Sequence, residues 1–193
     1  MHRHPRRRPV RWIAAAVTAL ALAATGVLFP GTAAHAVPLP ISDDFEGNPQ
    51  DRWVADAPPN YTTVILGRND VVHSNQNAAR LTALPLAPAT AKIFRTITPD
   101  ANTPRRSTCT AQVYLRWQDS GPGSSNLVDV YLRIRQGGRT GPIISTKGHS
   151  VFQNDGWVQR SFNAVPWSTR TFTIEIRAYQ GTVVVDDLTY ACT

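Results

Sequence analysis

The chain has 193 residues, and its 20 Lys and Arg against 13 Asp and Glu give a formal net charge of +7 at pH 7. Five of the arginines stand within the first 11 residues, and the rest of the chain carries 15 basic against 13 acidic residues. This near balance excludes the basic footprint of a nucleic-acid-binding domain, so we expect no nucleic-acid partner. The length suits a single domain with a sizeable apolar core.

Residues 1–36 are predicted to be a cleaved secretion signal peptide. A basic start is followed by an apolar stretch over residues 13–29 and by the small-x-small site Ala34-His35-Ala36. The alternative is an uncleaved membrane anchor, but the apolar stretch is short for a span and has Gly26 and Pro30 at its end. We therefore expect cleavage after Ala36. The product is a single secreted, extracellular domain over residues 37–193, with no membrane contact after cleavage.

Beyond the signal, short runs of β-branched and aromatic residues alternate with Gly, Pro, Asn and Asp. The runs predict strands over 41–46, 52–55, 62–67, 79–83, 92–98, 108–118, 128–136, 143–146, 157–162 and a final pair within 171–192 joined at Gln180-Gly181. No stretch has the period of a long amphipathic helix. This pattern predicts an all-β chain built as an antiparallel sandwich or barrel.

The final pair of strands carries the clearest chemical signal. Residues 171–179 alternate between apolar and polar side chains, which predicts one buried face and one wet face. In the second strand, Val183-Val184-Val185 runs into Asp186 and Asp187, and a continued pleat would turn one of these carboxylates inward. A buried carboxylate is costly unless it is paired or bound to a cation. The acidic cluster at residues 43–46 is the expected partner.

Both cysteines, Cys109 and Cys192, lie in the exported part of the chain. In an oxidising compartment the simplest expectation is one disulfide between them. The alternative, a zinc site, needs more ligands than the exported part offers. Its histidines, His73 and His149, are not spaced as a metal motif.

Alternation also selects the side chains on the polar side of three strands. They are Gln112, Tyr114, Arg116, Asp129, Tyr131, Arg133, Glu175, Arg177 and Tyr179. If these strands are neighbours in one sheet, its outer face carries tyrosine rings beside arginines and carboxylates. Such a mixture suits a glycan, because sugar rings present apolar C–H faces and a rim of hydroxyl groups. The alternative is a solvated sheet face with cross-strand ion pairs.

A series of short motifs resembles a known family. The motifs are Asp44-Phe45-Glu46, Trp53, the strand at 77–83, the run 157–162 and Val185-Asp186-Asp187-Leu188. Their order is similar to that in the galactose-binding-like jelly roll of carbohydrate-binding modules of families 4 and 22. The resemblance implies a two-sheet β-sandwich of jelly-roll type, a sugar-binding concave face and a buried structural calcium.

The resemblance also implies roles for single residues. The calcium ligands would be Asp44, Glu46, Gln76, Ala79 and Asp186, with Gln76 standing where the family usually has a carboxylate. Amide oxygens also bind calcium, so this departure predicts weaker binding.

The tryptophans divide into structural and exposed positions. The resemblance implies packing roles for Trp53 and Trp157, and alternation places Trp117 on the core side of its strand. Trp167, in a polar loop, is the tryptophan that we expect to be exposed.

Three classes of function follow. The first is a secreted, monomeric, non-catalytic carbohydrate-binding protein that binds a polysaccharide or other glycan on the concave face. The second is a jelly-roll glycoside hydrolase or polysaccharide lyase that uses Asp129 and Glu175 as a carboxylate pair. The third is an extracellular interaction or scaffold protein, which the fold alone does not distinguish from the first.

Overall fold

The computed structural model describes residues 36–37, 40–84, 89–99, 109–119, 121, 125–163 and 171–192. Along these residues the elements are β1 (Ala36–Val37), β2 (Ile41–Asp43), a 3-10 helix (Pro49–Asp51), β3 (Val54–Asp56), β4 (Thr62–Arg68), β5 (Ala78–Ala83), β6 (Thr90–Pro99), β7 (Cys109–Gln118), β8 (Leu127–Gln136), β9 (Ile143–Phe152), β10 (Trp157–Asn163), β11 (Phe172–Tyr179) and β12 (Gly181–Cys192). Residues 1–35 of the predicted signal peptide and Trp167 lie outside the described residues. Among the described residues, no helix is long and apolar enough to cross a membrane.

The described strands form two sheets. Sheet A has the order β1-β6-β11-β8-β9, with β3 also paired to β6, and sheet B has the order β10-β7-β12-β5-β4, with β2 also paired to β12. The pairings are antiparallel except for the two-residue contact between β1 and β6. The predicted all-β, two-sheet antiparallel sandwich is confirmed.

The core lies between the two sheets and follows the predicted alternation. Every second side chain of β7, β8 and β11 is buried in it, and these residues are Cys109, Ala111, Val113, Leu115, Val128, Val130, Leu132, Ile134, Phe172, Ile174, Ile176 and Ala178. Many of them are β-branched or otherwise bulky, and such side chains pack well on a pleated surface.

Some strand ends differ from the sequence-based expectation. β2 stops at Asp43, because Phe45 adopts a positive φ of 59° and its N–H bonds to the Asp43 carboxylate. β9 continues to Phe152 rather than ending near 146. Its polar run lacks the composition of a strand, but it pairs with β8 along almost its whole length. Partner strands, not local composition, therefore set its end.

The chain passes from sheet A to sheet B between β11 and β12. Gln180 has a φ of 50°, and Gly181 follows at the start of β12. A Cβ atom on Gly181 would lie 2.9 Å from the carbonyl oxygen of Leu127 and 3.0 Å from the Cβ of Val128. The glycine is thus required by the close approach of β8 at the crossing.

The pleat of β12 does not continue through Asp186 and Asp187, so neither carboxylate is turned into the apolar core, although Asp186 is fully buried. A β-bulge interrupts β12, so that Asp186 pairs with Tyr114 but Thr189 pairs with Gln112. Asp187 takes up the extra residue at a φ of 47°, a conformation that Asp tolerates. Val185 and Leu188 therefore both enter the core, and neither aspartate has to.

A buried ion pair joins the two sheets. Asp43 of β2, in sheet B, is 2% exposed, and its carboxylate contacts the guanidinium of Arg95, which β6 of sheet A turns inward. The same carboxylate accepts a hydrogen bond from Trp53 Nε1 at 2.9 Å and forms an ion pair with Arg52 at 3.1 Å. Burial lowers the pKa of Arg95, and the charge of Asp43 opposes that shift. Asp43 therefore supplies the counter-charge that offsets the cost of burying the Arg95 guanidinium.

We predict that Asp43→Ala lowers the free energy of unfolding by about 3–5 kcal/mol, because it leaves the Arg95 guanidinium buried without a counter-charge. Urea denaturation followed by tryptophan fluorescence measures the change. Asp51→Ala makes the same chemical change at an exposed position of the 3-10 helix and is expected to cost less than about 0.5 kcal/mol. Equal losses from the two substitutions would contradict the role of the pair.

The disulfide stays a prediction, and the strand register supports it. Cys109 and Cys192 stand directly opposite each other on β7 and β12. Opposed residues of an antiparallel pair have Cα atoms about 4.5–5.5 Å apart, within the range that a disulfide bridges. We expect mass spectrometry of the non-reduced protein, after proteolysis, to show a peptide linking the two cysteines. Recovery of two free thiols would contradict it.

Candidate functional site

The outer face of sheet A gathers most of the predicted ligand-binding residues. Across β11 and β8, Tyr179 stands opposite Asp129, Arg177 opposite Tyr131, Glu175 opposite Arg133 and Thr173 opposite Arg135. We call this set the outer face of sheet A. Arg135 is absent from the predicted ligand-binding set, although the alternation along β8 places it on the same side as Asp129, Tyr131 and Arg133.

Two tyrosines form one end of this face. The rings of Tyr131 and Tyr179 meet edge to face, with centroids 5.2 Å apart and an interplanar angle of 69°. The Tyr131 ring lies over Gly148 of β9, where an added Cβ would come within 3.2 Å of the ring. The glycine therefore leaves room for the ring to lie across the neighbouring strand.

Three arginines surround the carboxylate of Glu175. Arg135 Nε donates to Glu175 Oε2 at 2.5 Å, and Arg177 Nε donates to Oε1 at 2.7 Å. Arg133 Nη1 lies 3.6 Å from Oε1. Glu175 has no exposed side-chain surface, whereas each arginine side chain is about 15% exposed. The expectation of a wet polar face on β11 is thus wrong at Glu175, which lies on the outer side but is covered by arginines.

The arginines are also held against the tyrosines. Arg177 Nη1 donates to the Tyr179 hydroxyl at 3.0 Å, and the guanidinium carbon of Arg133 lies 5.4 Å from the Tyr131 ring centroid. A cation within about 6 Å of an aromatic ring is attracted to its face. Burial alone would lower the pKa of Arg177, but the Tyr179 hydroxyl and the Glu175 charge outweigh it and raise that pKa. Each of these two guanidinium groups is thereby held against a tyrosine ring.

The assumption that β7 is a neighbour of β8 and β11 is wrong. β7 lies in sheet B between β10 and β12, so Gln112, Tyr114 and Arg116 belong to the opposite outer face of the sandwich. Alternation identifies which side chains of a strand share a side, but it does not identify the strand's partners. The predicted set of nine residues is therefore divided, with six on sheet A and three on sheet B.

On sheet B the predicted residues meet an unexpected histidine. The His73 ring stacks on Tyr114 with centroids 3.7 Å apart, and Trp157 meets it edge on at 5.3 Å. Trp157 therefore packs on the sheet, in line with its predicted structural role.

Two other tryptophans also agree with their predicted packing roles. Trp53 is buried in the core, and Trp117 packs against the core while its Nε1 donates to the Ser125 carbonyl.

Asp186 and Asp187 bind the segment 73–77, which leads into β5. Asp186 Oδ2 accepts hydrogen bonds from the backbone N–H groups of His73 and Ser74, at 2.8 and 3.2 Å. Asp187 lies 2.6 Å from His73 Nδ1 and accepts a hydrogen bond from the Ser74 hydroxyl, also at 2.6 Å. Burial raises the pKa of Asp186, and the backbone N–H donors oppose that shift.

The acidic residues that follow β2 bind the other end of the same segment. Glu46 Oε1 accepts the backbone N–H groups of Gln76 and Asn77 at 2.6 and 2.5 Å. These hydrogen bonds lower the pKa of Glu46, and the bond from the Gln76 backbone has the largest effect. Asp44 Oδ2 accepts from the Asn75 side chain at 2.9 Å. Four carboxylates, those of Asp44, Glu46, Asp186 and Asp187, thus hold five consecutive residues, and we call them the acidic clamp.

The donor set of the acidic clamp does not fit calcium as these residues stand. Calcium takes six to eight oxygen ligands. Glu46 and Asp186 instead face backbone N–H groups, Gln76 contributes such a group, and Ala79 is paired with Val185 and Leu66 inside sheet B. Among the described residues, no group of three or more His, Cys, Asp or Glu is arranged to hold a metal ion. The calcium site is thus an implication of the resemblance that the arrangement of these residues does not support, and chelation tests it.

The carboxylate pair considered for catalysis stands on strand positions that are far apart. Asp129 stands opposite Tyr179, four residues along β11 from Glu175. Four residues of a strand span about 13 Å, whereas the carboxyl groups of glycoside hydrolases lie roughly 5–9.5 Å apart. Asp129 accepts a hydrogen bond from Ser150, and Glu175 is enclosed by arginines. Together these contacts do not fit an acid and base pair.

Comparisons with known proteins show the fold. No family model matches the chain, and no curated protein matches it. The structure is similar to TmCBM61 in complex with beta-1,4-galactotriose, with a TM-score of 0.52, 10% identity and coverage of 73% of this chain and 88% of that one. It is also similar to the CBM22-1 xylan-binding domain of Xyn10C from Paenibacillus barcinonensis, with a TM-score of 0.57, 11% identity and coverage of 82% and 97%.

A third similar structure is a CBM4 module, with a TM-score of 0.51, 15% identity and coverage of 80% of this chain and 94% of that one. These similarities confirm the predicted β-sandwich jelly roll and its likeness to the fold of families 4 and 22. At such low identity they show the fold and leave the site to be argued from its own residues.

A chelation experiment separates the two accounts of the acidic clamp. Because backbone N–H groups already face Glu46 and Asp186, we predict that EDTA leaves the melting temperature unchanged. Asp186→Ala should lower it equally with and without EDTA, since the substitution removes the hydrogen bonds to His73 and Ser74. A calcium-bound clamp would instead lose stability in EDTA, because an ion that binds only the folded state stabilises it. That loss would disappear in the Asp186→Ala variant.

Proposed function

We propose that this chain is a secreted, non-catalytic carbohydrate-binding module that binds a glycan on the outer face of sheet A. One observation carries the proposal, namely the pairing of Tyr131 and Tyr179 with the guanidinium groups of Arg133 and Arg177 on adjacent strands. The similar structures support it, since one is in complex with a galactotriose and another is described as a xylan-binding domain.

The two kinds of side chain suit the two kinds of surface on a sugar ring. An aromatic ring offers an apolar plate for the C–H face of a pyranose, and a guanidinium offers N–H donors to the hydroxyl groups at its rim. Both must be held in place, because ordering a long side chain on binding costs free energy. The hydrogen bonds of Arg177 to Glu175 and Tyr179 hold this arginine before any ligand arrives.

The distribution of the predicted residues over two sheets narrows the proposed binding site to one of them. Tyr131, Tyr179 and the arginines around Glu175 share one surface, while Tyr114 is stacked against His73 on the other side of the sandwich. A glycan chain that contacts several sugar rings in a row needs a continuous surface. The proposal therefore keeps the predicted residues of β8 and β11 and leaves out Gln112, Tyr114 and Arg116.

A polysaccharide panel tests the function itself. The purified protein is incubated with neutral and acidic polysaccharides, and each supernatant is analysed for new reducing or unsaturated ends. We expect at least one polysaccharide to bind without new ends. Cleavage products would indicate an enzyme. If no polysaccharide binds, the proposed function is wrong, and an interaction or scaffold role becomes the better account.

We predict that Tyr131→Ala and Tyr179→Ala each cost on the order of 1–3 kcal/mol of binding free energy to the polysaccharide that the panel identifies. The unfolding free energy should change by less than about 1 kcal/mol, since neither side chain belongs to the core. Titration calorimetry measures the first quantity and urea denaturation the second. Tyr61→Ala is the matched control, because this tyrosine is exposed and precedes β4 of sheet B. If all three variants bind with the same affinity, the assignment of the binding site to the outer face of sheet A is wrong.

A further inference from the structure

We infer that the glycan bound on the outer face of sheet A is anionic and carries carboxylate groups, as a polymer of uronic acids does. This inference rests on the proposed function and specifies its ligand class. Three guanidinium groups, those of Arg133, Arg135 and Arg177, surround the single carboxylate of Glu175. The cluster therefore keeps two positive charges that no neighbour in it neutralises.

The remaining charges of this face do not cancel that excess locally. Lys92, the strand neighbour of Arg177 on β6, is paired with Asp56 at 3.0 Å. Asp129 lies at the other end of the face, opposite Tyr179, and accepts a hydrogen bond from Ser150. It stands two residues, about 7 Å of strand, from the level of Arg177 and four residues, about 13 Å, from that of Glu175. The positive charge is thus concentrated around Glu175.

The arginines also retain unused hydrogen-bond donors. A guanidinium has five N–H groups in one plane. Arg135 uses two of them, on Glu175 and on the Gly141 carbonyl, and Arg177 uses two, on Glu175 and Tyr179. Arg133 donates one to Thr146 at 3.3 Å. Within the part of the chain that the structure describes, at least three N–H groups of each arginine make no hydrogen bond to the protein.

Carboxylate is the ligand group that this geometry suits best. A guanidinium binds a carboxylate through two parallel hydrogen bonds, which are stronger than bonds to a neutral hydroxyl group. A uronate also keeps the apolar C–H face that stacks on tyrosine. The guanidinium carbon of Arg133 lies 5.4 Å from the ring centroid of Tyr131, and that of Arg177 lies 5.8 Å from the ring centroid of Tyr179. One sugar can therefore contact a tyrosine ring and a guanidinium group together.

The test uses one polymer in two charge states. Binding of the purified protein to polygalacturonate is compared with binding to its methyl-esterified form, which has the same backbone but lacks the charge. We expect at least tenfold tighter binding of the charged form, the size of effect that a charge-assisted hydrogen bond gives. Added salt should weaken binding of the charged form and leave binding of the ester unchanged.

A pair of arginine variants locates the effect. Arg133→Gln should reduce the affinity for polygalacturonate about tenfold or more and remove most of the preference over the ester. Arg116→Gln makes the same charge change on the outer face of sheet B, where Arg116 is exposed, and should leave both affinities unchanged. Urea denaturation of both variants confirms that each is folded.

The outcomes separate this inference from the function on which it rests. Equal or tighter binding of the ester, lost in Tyr131→Ala, would overturn the anionic ligand and leave the proposed function standing. Tighter binding of a sulfated polymer than of polygalacturonate would overturn the carboxylate assignment. Equal losses from Arg133→Gln and Arg116→Gln would overturn the location. Failure of every polysaccharide, neutral or charged, would overturn the function and this inference together.

Discussion

The buried pair of Asp43 and Arg95 is the interaction on which the sandwich most depends. It is an ion pair between the sheets inside an otherwise apolar core, and loss of Asp43 would leave the Arg95 guanidinium buried without its counter-charge. The same carboxylate binds Arg52 and the Trp53 indole, so it also fixes the turn that leads into β3. By aligning β2 of sheet B with β6 of sheet A, the pair fixes the strand beside which β11, and then β8, build the candidate site.

Glu175 repeats this arrangement at the surface, with a different result. At both positions a buried carboxylate is held by arginines, but Arg95 points into the core, while the arginines around Glu175 keep part of their surface exposed. The first arrangement can contribute only to stability. The second holds guanidinium groups in fixed positions with free donors, which is what recognition of a ligand requires. We therefore regard Glu175 as a residue that positions the arginines rather than as a catalytic acid.

The sequence predicted what depends on local pattern and missed what depends on pairing partners. Alternation identified the core and outer sides of β7, β8 and β11, because side-chain direction repeats every two residues whatever the neighbours are. It could not show that β7 joins the other sheet, and so it placed Tyr114 beside Tyr131. The bulge at Asp187 was missed for a similar reason, since nothing in the run of residues 183–188 marks where β12 changes its partner from β5 to β2.

The central claim is that a glycan binds the outer face of sheet A, and NMR titration tests it most directly. Oligogalacturonate is added to isotope-labelled protein while the arginine Nε–Hε and tyrosine ring signals are followed. The account predicts shifts at Arg133, Arg177, Tyr131 and Tyr179 that saturate together, with those of Arg116 and Tyr114 unchanged. Shifts confined to sheet B, or no shift with any oligosaccharide that binds, would contradict it.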